Sequence, residues 1–175
     1  LFAVVISLLA AGRAEAAGFA LREQSTSAQG NAFAGATSGA EDPSYMFFNP
    51  AALGRLDGFA AEIQGSHLSP HSKLKSSSGT TAAGTPITGP DSANDIANDN
   101  WVGAGYLMLP VGDRVRLGLG VTSPFGLQTT YSDDWVGRYD AQESKLETVN
   151  LNPTIAVRVT NWLSVGAGFQ AQHAY

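Results

Sequence analysis

His67 and His71 stand four residues apart, a spacing that on a helix would hold a metal between two imidazoles. Here Pro70 lies between them, and the pattern runs from strand into loop, so the pair does not read as a metal site. Asp91, Asp95 and Asp99 also recur in a polar stretch, but the regular ligand pattern of a calcium loop, with its glycine, is missing. Gly118-Leu119-Gly120 and Gly166-Ala167-Gly168 sit in strand patterns with no helix after them, so they are lumen-side or packing glycines and not phosphate cradles. Ser, His and Asp are all present without a nucleophile elbow. The chain has no cysteine, which removes disulfides and thiolate metal sites. No catalytic residue, no metal and no cofactor is expected, and the chain does not read as an enzyme.

The elements that carry these residues point elsewhere. Residues 1–12, LFAVVISLLAAG, form an apolar run of signal-peptide length, too short for a transmembrane helix. Ala14-Glu15-Ala16 supplies a small-x-small cleavage pattern, so cleavage is expected after Ala16. Residues 17–55 are rich in Ser, Ala and Gly and suit short helical turns. Asn49-Pro50 reads as an N-cap followed by a first helical residue. From Phe59 onward the period becomes two. Five strands are expected, near residues 59–66, 101–110, 114–122, 147–159 and 163–172. In the third, Val115, Leu117, Leu119 and Val121 oppose Arg116, Gly118, Gly120 and Thr122.

Loop lengths alternate between very short, near residues 112 and 160, and long, at 69–100 and 124–143. Outer-membrane β-barrels sort their loops in this way, whereas a soluble sandwich has no reason to. The expectation is an all-β membrane protein, an antiparallel outer-membrane barrel with a small N-terminal helical plug. Residues 1–16 are read as a partial signal peptide, 17–57 as the plug and 58–175 as the first strands of an incomplete barrel. Five strands cannot close in lipid, so the sequence reads as a fragment. The net charge of −5 argues against a nucleic-acid partner.

Several motifs, in order, resemble the FadL/TodX family of outer-membrane transporters. Ala17-Gly18-Phe19-Ala20-Leu21 resembles the mature start, and Asp42 with Asn49-Pro50-Ala51 resembles a family hallmark. Thr122-Ser123-Pro124-Phe125-Gly126-Leu127 resembles the end of the third strand. Residues 146–152 and 162–169 resemble the fourth and fifth strands. The resemblance implies a fourteen-stranded monomeric barrel carrying long-chain fatty acids or aromatic hydrocarbons. It implies an outer apolar groove, a deeper pocket beside the N-terminus, and lateral release into the bilayer through a kink in the third strand.

Residue roles follow from that resemblance. Ala17, Gly18 and Phe19 are expected to line the deep pocket and act as a trigger. Asn49, Pro50 and Ala51 are expected to fix a plug turn. At Ser123, Pro124, Phe125 and Gly126 pairing should fail, because proline cannot donate and glycine has no side chain, and the failure would serve as a lateral gate. Leu127, Tyr131, Trp135 and Tyr139 form either the outer groove or an interfacial aromatic girdle. Arg138 meets a ligand carboxylate or, on the preferred reading, lipopolysaccharide phosphate. Outer-membrane lipid and lipopolysaccharide are the surroundings. The alternatives are a general porin, and a surface adhesion or phage-receptor barrel that works through its long loops.

Overall fold

The computed structural model describes residues 20–175. The expected leader and Ala17, Gly18 and Phe19 lie outside them. Seven antiparallel segments form one sheet: β1 (Ala60–Leu68), β2 (Asn100–Val111), β3 (Val115–Thr122), β4 (Gly126–Thr130), β5 (Glu143–Arg158), β6 (Ser164–Gly168) and β7 (Ala171–Ala174). They occupy five rows, because β3 and β4 both pair with one side of β5, and β6 and β7 both pair with the other.

Proline accounts for both splits. On the β6–β7 row, Thr154 pairs with Gly168 and Leu151 with Ala171, so the register is unbroken. Between them Phe169 donates to the Pro153 carbonyl at 3.0 Å, but Pro153 has no N–H to return the bond. The β3–β4 split is different, because it shifts the register.

Residues 124–143 therefore do not form a single loop. β4 and the start of β5 occupy the two ends of that segment. Gln128, Thr129, Thr130, Glu143, Ser144 and Lys145 hide the strands from a periodicity reading. An arm with water on both faces has no reason to alternate.

Elsewhere the expected alternation is present, and its polarity is inverted. Asn150 is fully buried and Thr122, Asn152, Thr154 and Arg116 nearly so, while Ile63 is 93% exposed and Trp162 83%. Leu117, Leu119, Val121, Val149, Leu151, Ile155 and Val157 share the bare apolar face. A soluble sheet buries that face, so an apolar surface of this extent is built for a nonaqueous neighbour. Among the described residues no helix is long and apolar enough to cross a membrane. The short connections sit at one end of the sheet. Gly112, with a φ of +64°, turns β2 into β3, and Thr160 Oγ1 accepts from Trp162 N and Leu163 N in the β5–β6 turn.

The N-terminal segment covers the polar face. Helix α1 (Thr26–Gly30) is capped by Ser25, whose side chain accepts from Ala28 N at 3.1 Å. Two 3-10 helices follow, Pro43–Phe47 capped by Asp42 and Pro50–Arg55 capped by Asn49. Both start on proline, whose missing N–H is not needed at a first helical position. Met46 and Leu53 pack on Ala104, Tyr106, Met108 and Ala156 of the sheet. This packing explains why β2 reads as apolar on both faces: one is bare, and the other lies under this segment.

Candidate functional site

The third row breaks between β3 and β4. Thr122 pairs with Asn150 and Gly126 with Glu147, so Ser123, Pro124 and Phe125 oppose only Thr148 and Val149. One extra residue on one strand is a bulge, and it bends that strand away from its neighbour. On the other side, the β2–β3 ladder stops at Ala104 and Thr122, although β2 runs on to Asn100 and stays paired with β1. Pairing resumes beyond the break, where Ala97 bridges Thr129 and Asn98 N donates to Gln128 O at 3.0 Å. Residues 101–103 and 123–125 thus flank an interruption in the wall, closed above and below.

Buried carbonyls need donors, and each carbonyl at the break finds one outside a regular rung. Ser123 O accepts from Gln24 Nε2 at 2.9 Å, and Pro124 O from Leu21 N at 2.9 Å. Phe125 O accepts from Thr148 Oγ1 at 2.9 Å, and Gly126 O from Asn100 Nδ2 at 2.8 Å. Two of these four donors belong to the N-terminal segment. That segment is held in turn by the wall: Tyr106 Oη donates to Gln24 O at 2.5 Å, and Gln64 Nε2 donates to the same carbonyl. Pro124 and Gly126 mark the break in the sequence, whereas Leu21, Gln24, Gln64, Asn100 and Tyr106 carry no mark of it there. The only signal was a polar run beside Ser25, with no hint of its distant partner.

Asn49, Pro50 and Ala51 lie at the opposite end of the segment. Asn49 Oδ1 accepts from Ala51 N at 3.1 Å, and Asn49 Nδ2 donates to Thr37 O at 2.8 Å. A Cβ on Gly166 would collide with the backbone of Pro50 and Ala51, and one on Gly118 with Leu53 and Met46. The strand glycines are therefore where the segment touches the wall. Two arginines finish the join. Arg116 Nε donates to Leu56 O at 2.9 Å and Arg158 Nε to Gly54 O at 2.6 Å, and both guanidinium groups reach Asp57. Asp57 is largely exposed, so the carbonyl bonds rather than the ion pairs hold this end.

The outer-loop residues divide into two places. Tyr131 and Trp135 stack with ring centroids 4.2 Å apart, and the Arg138 guanidinium lies 4.9 Å from the Tyr139 ring centre. Arg138 Nη1 also donates to Thr88 O, Asp134 O and Trp135 O, which ties the two long loops together. Leu127 is apart from this cluster and lines a cavity of about 160 Å³ with Thr129, Ser144 and Leu146. His67 and His71 each face an aspartate, Asp99 and Asp95 respectively. Among the described residues no cluster of three or more potential ligands could hold a metal.

Comparison with known proteins bears on this arrangement. Residues 7–175 match the family model described as outer membrane protein transport protein (OMPP1/FadL/TodX). The chain is 33% identical to outer membrane protein P1 of Haemophilus influenzae over 95% of its own length and 38% of the relative's. It is 32% identical to the long-chain fatty acid transport protein of Escherichia coli K12, covering 98% of this chain and 37% of that protein. The crystal structure of a Pseudomonas aeruginosa FadL homologue superimposes with a TM-score of 0.77 at 28% identity, covering 90% of this chain and 38% of that one. The chain thus spans a little over a third of the length of these relatives.

Proposed function

The chain belongs to the OMPP1/FadL/TodX family of outer membrane transport proteins, and from that membership we propose that its protein carries hydrophobic small molecules, long-chain fatty acids or aromatic hydrocarbons, across the outer membrane. In this reading residues 17–57 plug a barrel, and the strand break at residues 123–126 is the side exit. One observation carries the reading. The wall is interrupted beside an apolar outer face, and the interruption is held by hydrogen bonds from Leu21 and Gln24 of the proposed plug.

The physics favours a lateral route. A hydrophobic solute moving straight down the interior would meet Thr122, Asn150, Asn152 and Thr154. Leaving through the wall delivers it to the bare apolar face, and its transfer free energy scales with the apolar area kept from water. The Tyr131–Trp135 stack and the Leu127 cavity are the proposed outer landing surfaces. Ala17, Gly18 and Phe19, just ahead of Leu21, are the proposed trigger, because displacement there would pull on the two bonds at the break. The relative named for long-chain fatty acid transport supports a fatty-acid cargo.

Uptake of labelled oleate and toluene tests this directly, in cells lacking the gene and in cells complemented with the full-length protein. The expected result is loss of at least one flux and its recovery on complementation. If neither flux responds, the reading is wrong.

A further inference from the structure

Two of the chain's three lysines, Lys73 and Lys75, stand two residues apart in the first long loop. The loop is held at that point. Leu74 and Ala93 form an antiparallel bridge, in which Leu74 N donates to Ala93 O at 3.0 Å and Ala93 N to Leu74 O at 2.9 Å. Ile96 N donates to Ser72 O at 3.0 Å and Thr130 N to Ile96 O at 2.9 Å, which ties the bridge to β4. Side chains alternate across such a pairing, so Lys73 and Lys75 share a face with Asn94 and Ser92. The four line one cleft of about 310 Å³ over the Leu74–Ala93 bridge.

That face presents donors and no carboxylate. Both lysines are exposed, and among the described residues neither takes part in an ion pair. Ser92 adds a hydroxyl and Asn94 an amide N–H. The acids of the loop are engaged elsewhere. Asp95 meets His71 at 2.7 Å and accepts from Ser72 N and Ala97 N, while Asp99 accepts from Ser69 Oγ at 2.7 Å and faces His67. Asp91 falls on the opposite side from Ser92 by the same alternation. Residues two apart on a strand are separated by about 6.6 Å, so two flexible lysine stems can converge on one tetrahedral anion.

The cleft lies beyond the end of the sheet opposite the short turns, which is the outward end in barrels of this kind. Lys73 follows Leu68, the last residue of β1, by five positions, so it stands within roughly 17 Å of that strand's end. This is the layer of head groups and sugars on the outer leaflet. Arg138, the other loop cation expected to meet lipopolysaccharide phosphate, instead holds the carbonyls of Thr88, Asp134 and Trp135. We propose that the Lys73–Lys75 cleft is a phosphate site for the lipopolysaccharide around the barrel, with Ser92 and Asn94 as additional donors. Occupation neutralises two neighbouring like charges and fastens the first long loop to the membrane surface. The inference rests on residence in the outer membrane and not on what the barrel carries.

The test uses the full-length protein in detergent and fluorescently labelled lipopolysaccharide freed of divalent cations. Binding is compared with the same lipopolysaccharide after removal of its phosphates, its sugar carboxylates being retained. The parent should prefer the phosphorylated form by about tenfold, the contribution expected of two exposed ion pairs. Lys73→Gln with Lys75→Gln should abolish that preference, and Lys73→Arg with Lys75→Arg should keep it. Asn94→Asp, which sets a carboxylate opposite Lys73, should weaken binding of the phosphorylated form with the lysines intact. Both lysines are exposed, so the glutamine variant should fold, and an unchanged β-sheet circular dichroism spectrum checks this. A glutamine variant that binds like the parent, or a parent indifferent to phosphate removal, would overturn the site. Tight binding of inorganic phosphate alone, with no preference for the lipid, would overturn the choice of ligand. No cargo is involved, so failure here leaves the transport reading standing, and failed uptake leaves the phosphate site untouched.

Discussion

Small residues set how closely the N-terminal segment approaches the wall. Gly166 lies against the backbone of Pro50 and Ala51, which cannot rotate aside as a side chain can. Gly166→Val should displace the segment at an overpacking cost of about 1–3 kcal/mol. The expected outcome is faster proteolysis within residues 21–55 of a protein that still inserts. Gly103→Ala is the control, since a Cβ there meets nothing closer than a carbonyl at 4.0 Å. Equal proteolysis of the two variants would show that Gly166 does not set the contact. A second residue-level expectation concerns His71, whose ring nitrogen lies 2.7 Å from Asp95. The hydrogen bond to Asp95, reinforced by its charge, raises the histidine's pKa, and the same hydrogen bond lowers that of the aspartate. The contact is thus fully present below the ordinary histidine value of about 6.5 and is lost as pH rises through the raised one. Its lower limit lies where the depressed Asp95 protonates. An NMR titration of His71 should give a midpoint above the ordinary value, which Asp95→Asn brings back down. A midpoint unmoved by that substitution would refute the pairing in solution.

At the scale of the element, the decisive feature is the break between β3 and β4. Its extra residue separates it from an ordinary strand end, since pairing with β5 resumes on the far side one position out of step. Gly126 sits inside this bend, with Asn100 Nδ2 and Leu21 Cδ1 at 3.4 and 3.7 Å from where a Cβ would stand. Valine at that position would press on both neighbours and disturb the donor to the Gly126 carbonyl. Gly126→Val should slow uptake while the barrel still assembles. Assembly is read from insertion and uptake from the labelled substrate. Normal uptake by a correctly inserted variant would argue against a gate at this bend. The break was legible because proline and glycine act on the ladder locally, whatever the rest of the fold does. The second interruption, opposite Pro153, was not foreseen, because its cause lies on the neighbouring strand.

Across the whole molecule, the sheet is sorted by solvent rather than by core. The bare apolar face fits the outer membrane in which this family resides, and the N-terminal segment covers the polar face. The two ends of that segment are secured differently. At the 3-10 helix Pro50–Arg55, arginines hold backbone carbonyls and glycines allow close packing. At the other end, Leu21 and Gln24 donate to Pro124 O and Ser123 O, and Gln64 and Tyr106 of the wall donate to Gln24 O. Gln24→Ala should remove the donor to Ser123 O and raise hydrogen exchange at residues 101–103 and 123–125 more than at β5. A uniform rise across the sheet would instead indicate global destabilisation.

The sequence by itself determined the inside-out strands, the alternation of short and long connections, the capped turn at Asn49 and the failure of pairing near Pro124. Each depends on residues close together in the chain, where a period of two or a missing N–H acts directly. Composition also set the short helical turns of the N-terminal segment, since small residues give no sustained amphipathic face. Only the tertiary structure decided that Leu21 and Gln24 hydrogen-bond the break and that Arg116 and Arg158 grip the 3-10 helix. Those contacts join residues 60 to 104 positions apart. A polar side chain satisfied by a distant carbonyl looks, in sequence, like any other polar side chain. Its partner exists only once the wall has bent and the segment has settled against it.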